Sequence, residues 1–245
     1  MQNGRIGRTT PCVLVDMNTQ FDFFGGEGAC PVVNHLEKHA CLRRILAWAK
    51  RNQVPIISSM DSHRRVEHTN NGIPRHCIEG SVGQRKLPFT VLPNHVFVAG
   101  DNTLGVSVDL FQKHQQVIFP QRDTDLFTNP KADRFLTQLD AEEFILFGAI
   151  AEYEIKAVAL GLLVRNKRVT ILMDGCGFWN LSEFDLSLRQ ARAKGARVIS
   201  ICELRERKLP RRWKYTKTSR IGVVPLNGGT TIPDLPGVAP PRDWM

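Results

Sequence analysis

The chain has no C-x-x-C pair, no G-x-x-x-x-G-K loop and no apolar run approaching the roughly 18 residues that span a bilayer. The first absence argues against a zinc ribbon or a disulfide scaffold. The six cysteines stand apart at positions 12, 30, 41, 77, 176 and 202 and read as reduced, with Cys12 and Cys202 fitting buried strands. The second argues against a phosphate-cradling nucleotide loop, and the third against a membrane-spanning helix. Acidic residues are in short supply: 24 face 33 basic ones, for a net charge of +9. Between Arg205 and Arg220 eight basic residues meet one acid, Glu206. That run suits RNA or an acidic surface, but Trp213 and Tyr215 are its only stacking aromatics. A solvated extension is therefore the preferred reading, with nucleic-acid binding through 205–220 kept as the alternative. The polar, basic N-terminus and the short segment PCVLVDM, which contains an Asp, match neither a secretory leader nor a transit peptide. A cytoplasmic location without membrane attachment is expected.

What is present is a rhythm. Apolar, β-biased runs begin near residues 12, 54, 115, 143, 168 and 197. Between them lie helical patterns: LRRILAWAKRNQ (42–53) repeats apolar residues at helical spacing, EIKAVALGLLVRN (154–166) holds good helix formers with a basic end, and SEFDLSLRQARAKG (182–195) runs from a Ser cap to Gly195. Strands apolar on both faces, alternating with helices, predict one three-layer α/β/α domain around a six-stranded, mostly parallel sheet. Residues 78–114 stand outside the rhythm, with a candidate extra strand at HVFVAG (95–100) and a short helix near 105–113. The Pro/Gly-rich end of the chain reads as extended.

Parallel sheets bind ligands beyond the carboxyl ends of their strands. The polar residues expected there are Asp16, Asp61, His63, Gln121, Glu152, Glu154 and Asp174. Asp16 follows the apolar VLV and is either an acid–base group or a structural carboxylate holding loop amides. Asp61 and His63 alternate, and His76 lies within reach of a returning loop. One carboxylate and two imidazoles suit Zn²⁺, Fe²⁺ or Mn²⁺, with His68 a weaker ligand, although polar residues also cluster in ordinary loops. Glu154 opens a helix, where a carboxylate commonly does no more than complement the dipole.

Taken together, VDMNTQFDFFGGEGACPV (15–32), DSH (61–63), PRHCIEGSVG (74–83) and GAIAEYEI (148–155) resemble the isochorismatase-like hydrolases, which include nicotinamidases and related cysteine amidohydrolases. The likeness covers about 10–202 and divides the chain into a domain at 10–204 and an extension at 205–245. It implies a six-stranded parallel sheet, a homo-oligomer and a small-molecule ligand. It also implies a triad of Asp, Lys and Cys. Asp16 matches the aspartate. The lysine position, set by Phe127, falls on Gln121, and the cysteine position falls on Glu154. The resemblance puts an oxyanion hole at the backbone N–H groups of Ile150 and Glu154, beside a cis peptide near Ala149–Ile150, and a metal on Asp61, His63 and His76. Glu154 next to that hole would fill it. The expected protein is a hydrolase homologue without its Cys and Lys, impaired or divergent, that binds a small molecule. The alternatives are a metal-assisted hydrolase using Asp16 and Glu154 in acid–base roles, an amidase recruiting Cys176, and an RNA- or protein-binding module led by the basic tail.

Overall fold

The computed structural model describes residues 10–66, 73–101, 103, 105–207 and 209. Seven strands form one sheet: β1 Val13–Met17, β2 Ile56–Asp61, β3 His95–Phe97, β4 Gln116–Gln121, β5 Phe144–Gly148, β6 Val169–Cys176 and β7 Arg197–Ile199. Their order is β3-β4-β2-β1-β5-β6-β7, and every neighbouring pair runs parallel. The expected six strands become seven because HVF, half-buried, adds an edge strand alongside β4.

The strands of VLVDM and FILFG are buried along their whole length, as a sheet covered on both faces requires. One apolar cluster includes Val15, Phe119, Phe135, Leu146 and Leu162. A second, on the opposite face, includes Leu14, Leu46, Trp48, Ile145 and Leu172. The helices are α1 Phe21–Phe24, α2 His35–Asn52, α3 Pro130–Gln138, α4 Lys156–Val164, α5 Leu181–Ala193 and α6 Ile201–Glu206. Helix α3 begins where the Asn129 side chain accepts from Lys131 and Ala132 N–H, with Pro130 in the first turn. Asn180 caps α5 in the same way, and Ser200 with Glu203 forms a reciprocal capping box on α6.

Helix α6 ends at Glu206. Cys202, expected in a strand, is exposed on α6. The rest of the basic extension, 208 and 210–245, and the alternative ligand His68 lie outside the described residues.

The chain starts in the centre of the sheet at β1, builds outward through β2, β4 and β3, and then returns to β5 on the other side of β1. The carboxyl ends of β1 and β5 therefore flank the switch in strand order, the place where such sheets hold ligands.

Candidate functional site

Asp61 ends β2 and Glu154 lies just beyond β5, with Asp16 near the end of β1 between them. The backbone of Asp61 is fixed from both sides by one side chain. Gln20 Nε2 donates to its carbonyl at 2.8 Å, and its N–H donates to Gln20 Oε1 at 2.8 Å. His63 is carried on a short parallel bridge to Ile78, in which His63 N donates to Cys77 O and Glu79 N to His63 O. That bridge brings His76 back beside His63. Asp22 secures the loop, accepting Cys77 N–H at 2.6 Å and Ala29 N–H at 2.9 Å.

The result is a compact donor set. His63 Nε2 and His76 Nε2 lie 3.1 and 3.2 Å from the same oxygen, Asp61 Oδ2. The three ligand atoms all fall within 4.8 Å of one another. Ligands at 2.0–2.1 Å from a tetrahedral ion sit about 3.3 Å apart, so these separations fit a divalent metal. The other nitrogen of His76, Nδ1, lies 2.8 Å from Pro74 O, which pins the ring with Nε2 turned to the site. Burial opposes charge on His76. Its bonds to Asp61, Cys30 and Pro74 outweigh that and push its pKa up to about 11. Asp61 is likewise desolvated, yet the two imidazoles hold its carboxyl below the usual range.

The second part of the site is the turn after β5. Gly148 adopts φ 114°, and a Cβ there would sit 1.9 Å from Met17 O, so the chain turns at this point only through glycine. The Ala149–Ile150 peptide is cis, at the expected bond. Residues Ala151–Ile155 make one wide π-type turn leading into α4. Ile150 N donates to Glu154 Oε2 at 2.9 Å. One of the two amides expected to form an oxyanion hole, the Ile150 N–H, is thus engaged by the Glu154 side chain. Burial, with the Asp61 charge adding and the Ile150 bond opposing, pushes the Glu154 pKa up to about 8.

The third part was not foreseen. Lys86, whose side chain is 2% exposed, places Nζ 3.1 Å from Asp16 Oδ2 and donates to Ser59 O at 3.0 Å. Ser58 Oγ donates to the same Asp16 oxygen at 2.8 Å. Asp16 Oδ1 is buried with no hydrogen-bond partner among the described residues. Burial lowers the Lys86 pKa, with the Asp16 charge opposing the shift. Gln121 is buried at the end of β4, but its amide donates to Asp123 O at 2.7 Å, and no bond links it to Asp16. Arg122, the nearest basic residue in sequence, is spent on a surface pair with Glu79 at 2.9 Å. Of the remaining candidates, Glu152 caps the entry to α5 by accepting Trp179 and Asn180 N–H, and Asp174 accepts Ile201 N–H at the start of α6.

Gln20 and Asp22 were not among the expected site residues, although both hold the loop that bears the histidines and Asp61. The available signal was Asp22, a carboxylate set among three phenylalanines, where only full hydrogen bonding makes burial tolerable.

The isochorismatase domain matches residues 10–203. The chain belongs to the isochorismatase domain family. Among solved structures, this isochorismatase-family chain resembles a pyrazinamidase of Pyrococcus horikoshii in complex with zinc, at a TM-score of 0.63 and 18% identity over 78% of this chain and 99% of that one. It also resembles a nicotinamidase from Bacillus subtilis, at 0.62 and 16% over 78% and 100%, and the MAR1 ribonuclease from Caenorhabditis elegans, at 0.54 and 16% over 82% and 82%. At these identities the likeness is one of fold. No curated protein gives a significant match.

Proposed function

We propose that this protein is an isochorismatase-family member without thiol-based hydrolysis, which binds a divalent metal ion and a small-molecule ligand at the β1/β5 switch. The observation that carries the reading is the Glu154 carboxyl group on the N–H of Ile150. A substrate carbonyl oxygen would have to displace it to reach that donor. Cys176 and Cys77 are poor substitute nucleophiles: burial pushes the Cys176 thiol up to about 12, and burial together with Asp61 and Asp22 pushes Cys77 higher still. Asp61, His63 and His76 would hold the metal, and zinc is the first choice by analogy with the Pyrococcus horikoshii neighbour. A homo-oligomer in the cytoplasm belongs to the same proposal.

The test is a panel of nicotinamide, pyrazinamide, ureas and isochorismate-like vinyl ethers, with purified protein and Zn²⁺ or Mn²⁺. No turnover is expected. Turnover that disappears in Glu154→Gln sinks the reading.

One observation favours a second reading, metal-assisted hydrolysis. Glu154, with a pKa near 8, titrates close to neutrality, where a general acid or base works best. A bound divalent ion would supply Lewis acidity and an acidic water. Asp16 and Glu154 would then be the proton-handling groups. Exposed Arg64, Arg65, Arg75 and Arg85 lie on the loops that bear His63, His76 and Lys86, and the Caenorhabditis elegans neighbour is named a ribonuclease. Metal-dependent cleavage of RNA that weakens steeply with salt and fails in His76→Ala supports this reading. The absence of cleavage under all metals removes it.

A further inference from the structure

We propose that Lys86 has taken over the work of the lysine that the family resemblance assigns to Gln121, so that the Asp–Lys half of the triad survives with its cation supplied by a different segment. This rests on the family reading of position 154 as the nucleophile position. Two observations converge on Lys86. Its Nζ lies 3.1 Å from Asp16 Oδ2 in a fully buried setting, while Gln121 is bonded to the loop carbonyl of Asp123. The strap that carries Lys86 is anchored to the chain just after β1: Lys86 forms an antiparallel bridge with Gln20, Phe21 N donates to Arg85 O, and Leu87 N donates to Thr19 O. The lysine is therefore directed at Asp16 by backbone pairing on both sides of it and not by a flexible reach.

The chemistry of the pair is specific. Lys86 and Ser58 both spend their bonds on Oδ2, which leaves Oδ1 buried and without a partner among the described residues. A carboxylate held in this way has one oxygen fixed and one lone-pair site open to accept a proton from a neighbouring thiol, hydroxyl or amide. The lysine charge next to it would favour the thiolate that such a transfer leaves behind. A purely structural ion pair would hold the strap in place but would not alter the acidity of a group at position 154. That difference makes the two roles separable. Lys86 is in this sense a positioning and charge-setting residue.

The experiment installs the thiol. In metal-free Glu154→Cys protein, alkylation of the introduced thiol by iodoacetamide is followed by mass spectrometry across about pH 5–9. Asp61, His76 and Cys77 also face position 154, and Asp16 and Cys77 face Lys86, so all of these are kept constant through the series. The expected midpoint lies below the free-cysteine value of about 8.5. Adding Lys86→Met should raise it by about one unit and slow alkylation near neutrality roughly tenfold. Adding Gln121→Lys should change the rate less than about twofold, within the scatter of independent sites. If Lys86→Met does not fold, Lys86→Gln, which keeps a donor near Asp16 and Ser59 but removes the charge, takes its place, and the same loss is expected. An activated thiol that ignores Lys86, or one that appears only with Gln121→Lys, overturns the proposal alone. A thiol that behaves as free cysteine in every background overturns the proposal together with the family reading of position 154.

Discussion

The fold disfavours the charged form of Glu154. Its folded pKa of about 8 stands above the ordinary 4.5, because burial and the Asp61 charge penalise ionisation more than the Ile150 N–H rewards it. A raised carboxyl means that the folded state binds the extra proton between these two values. The stability this group contributes is fully present below about pH 4.5 and is lost as pH rises through 8. Glu154→Gln, which cannot ionise, should therefore gain on the native protein as pH rises, by an amount on the order of a few kcal/mol. Urea unfolding of both proteins at mildly acid, neutral and alkaline pH measures the gap, and a gap independent of pH contradicts the assignment. The position of Glu154 was legible in the sequence because GAIAEYEI is a local motif, whose turn, helix start and substituted residue all fall within eight letters. Lys86 was not, because its meaning depends on a distant contact with Asp16. Reading lysines only at the spacing from Phe127 leads to Gln121 and stops there.

At the level of elements, the strands read most clearly where both faces are buried, as in VLVDM and FILFG, because a continuous apolar run has few other uses in a chain of this charge. Legibility fell where burial is partial. Strand β3, which HVFVAG offered only as a candidate, is three residues long, one exposed and two partly buried, and its place is fixed by pairing with β4. Helix α3 went unassigned although its Asn–Pro start was visible, since the nine residues that follow carry only a short apolar stripe. The candidate metal loop shows the same division. Its Asp and His residues were legible from D-S-H and H-C, but the brace behind them was not. Gln20 satisfies both the N–H and the carbonyl of Asp61 from another element, so Gln20→Ala would leave two buried backbone groups without partners. The expected cost is about 1–3 kcal/mol of stability. A looser Asp61 should also weaken zinc binding by about 10–100-fold, as loss of an outer-shell partner does. Competition with a chromophoric chelator gives the affinity. Zinc binding unchanged in a folded Gln20→Ala protein would show that the ligands hold their geometry without it.

Across the whole molecule, the three candidate metal ligands join the end of β2 to the loop that returns beside it. Asp61 ends β2, His63 begins the following loop, and His76 returns on a segment pinned to Asp22 after β1. An ion that binds this arrangement and not the unfolded chain stabilises the fold by mass action. At one hundred times its dissociation constant the gain is about 2.7 kcal/mol. For a domain of this size that corresponds to a rise of roughly 5–10 °C in melting temperature. Excess EDTA should reverse the rise, and His63→Ala or His76→Ala should abolish it. Both variants must keep the metal-free melting temperature of the native protein within a few degrees for the comparison to hold. The direction at low pH also follows from the geometry. The imidazole nitrogens that face Asp61 must give up their protons to bind the ion, and the contacts to Asp61, Cys30 and Pro74 hold the His76 proton tightly despite burial. Zinc therefore competes with protons at His76 throughout the neutral range, and the thermal shift should shrink as pH falls. A shift that persists undiminished in acid, or that survives loss of either histidine, would place the ion elsewhere on the molecule.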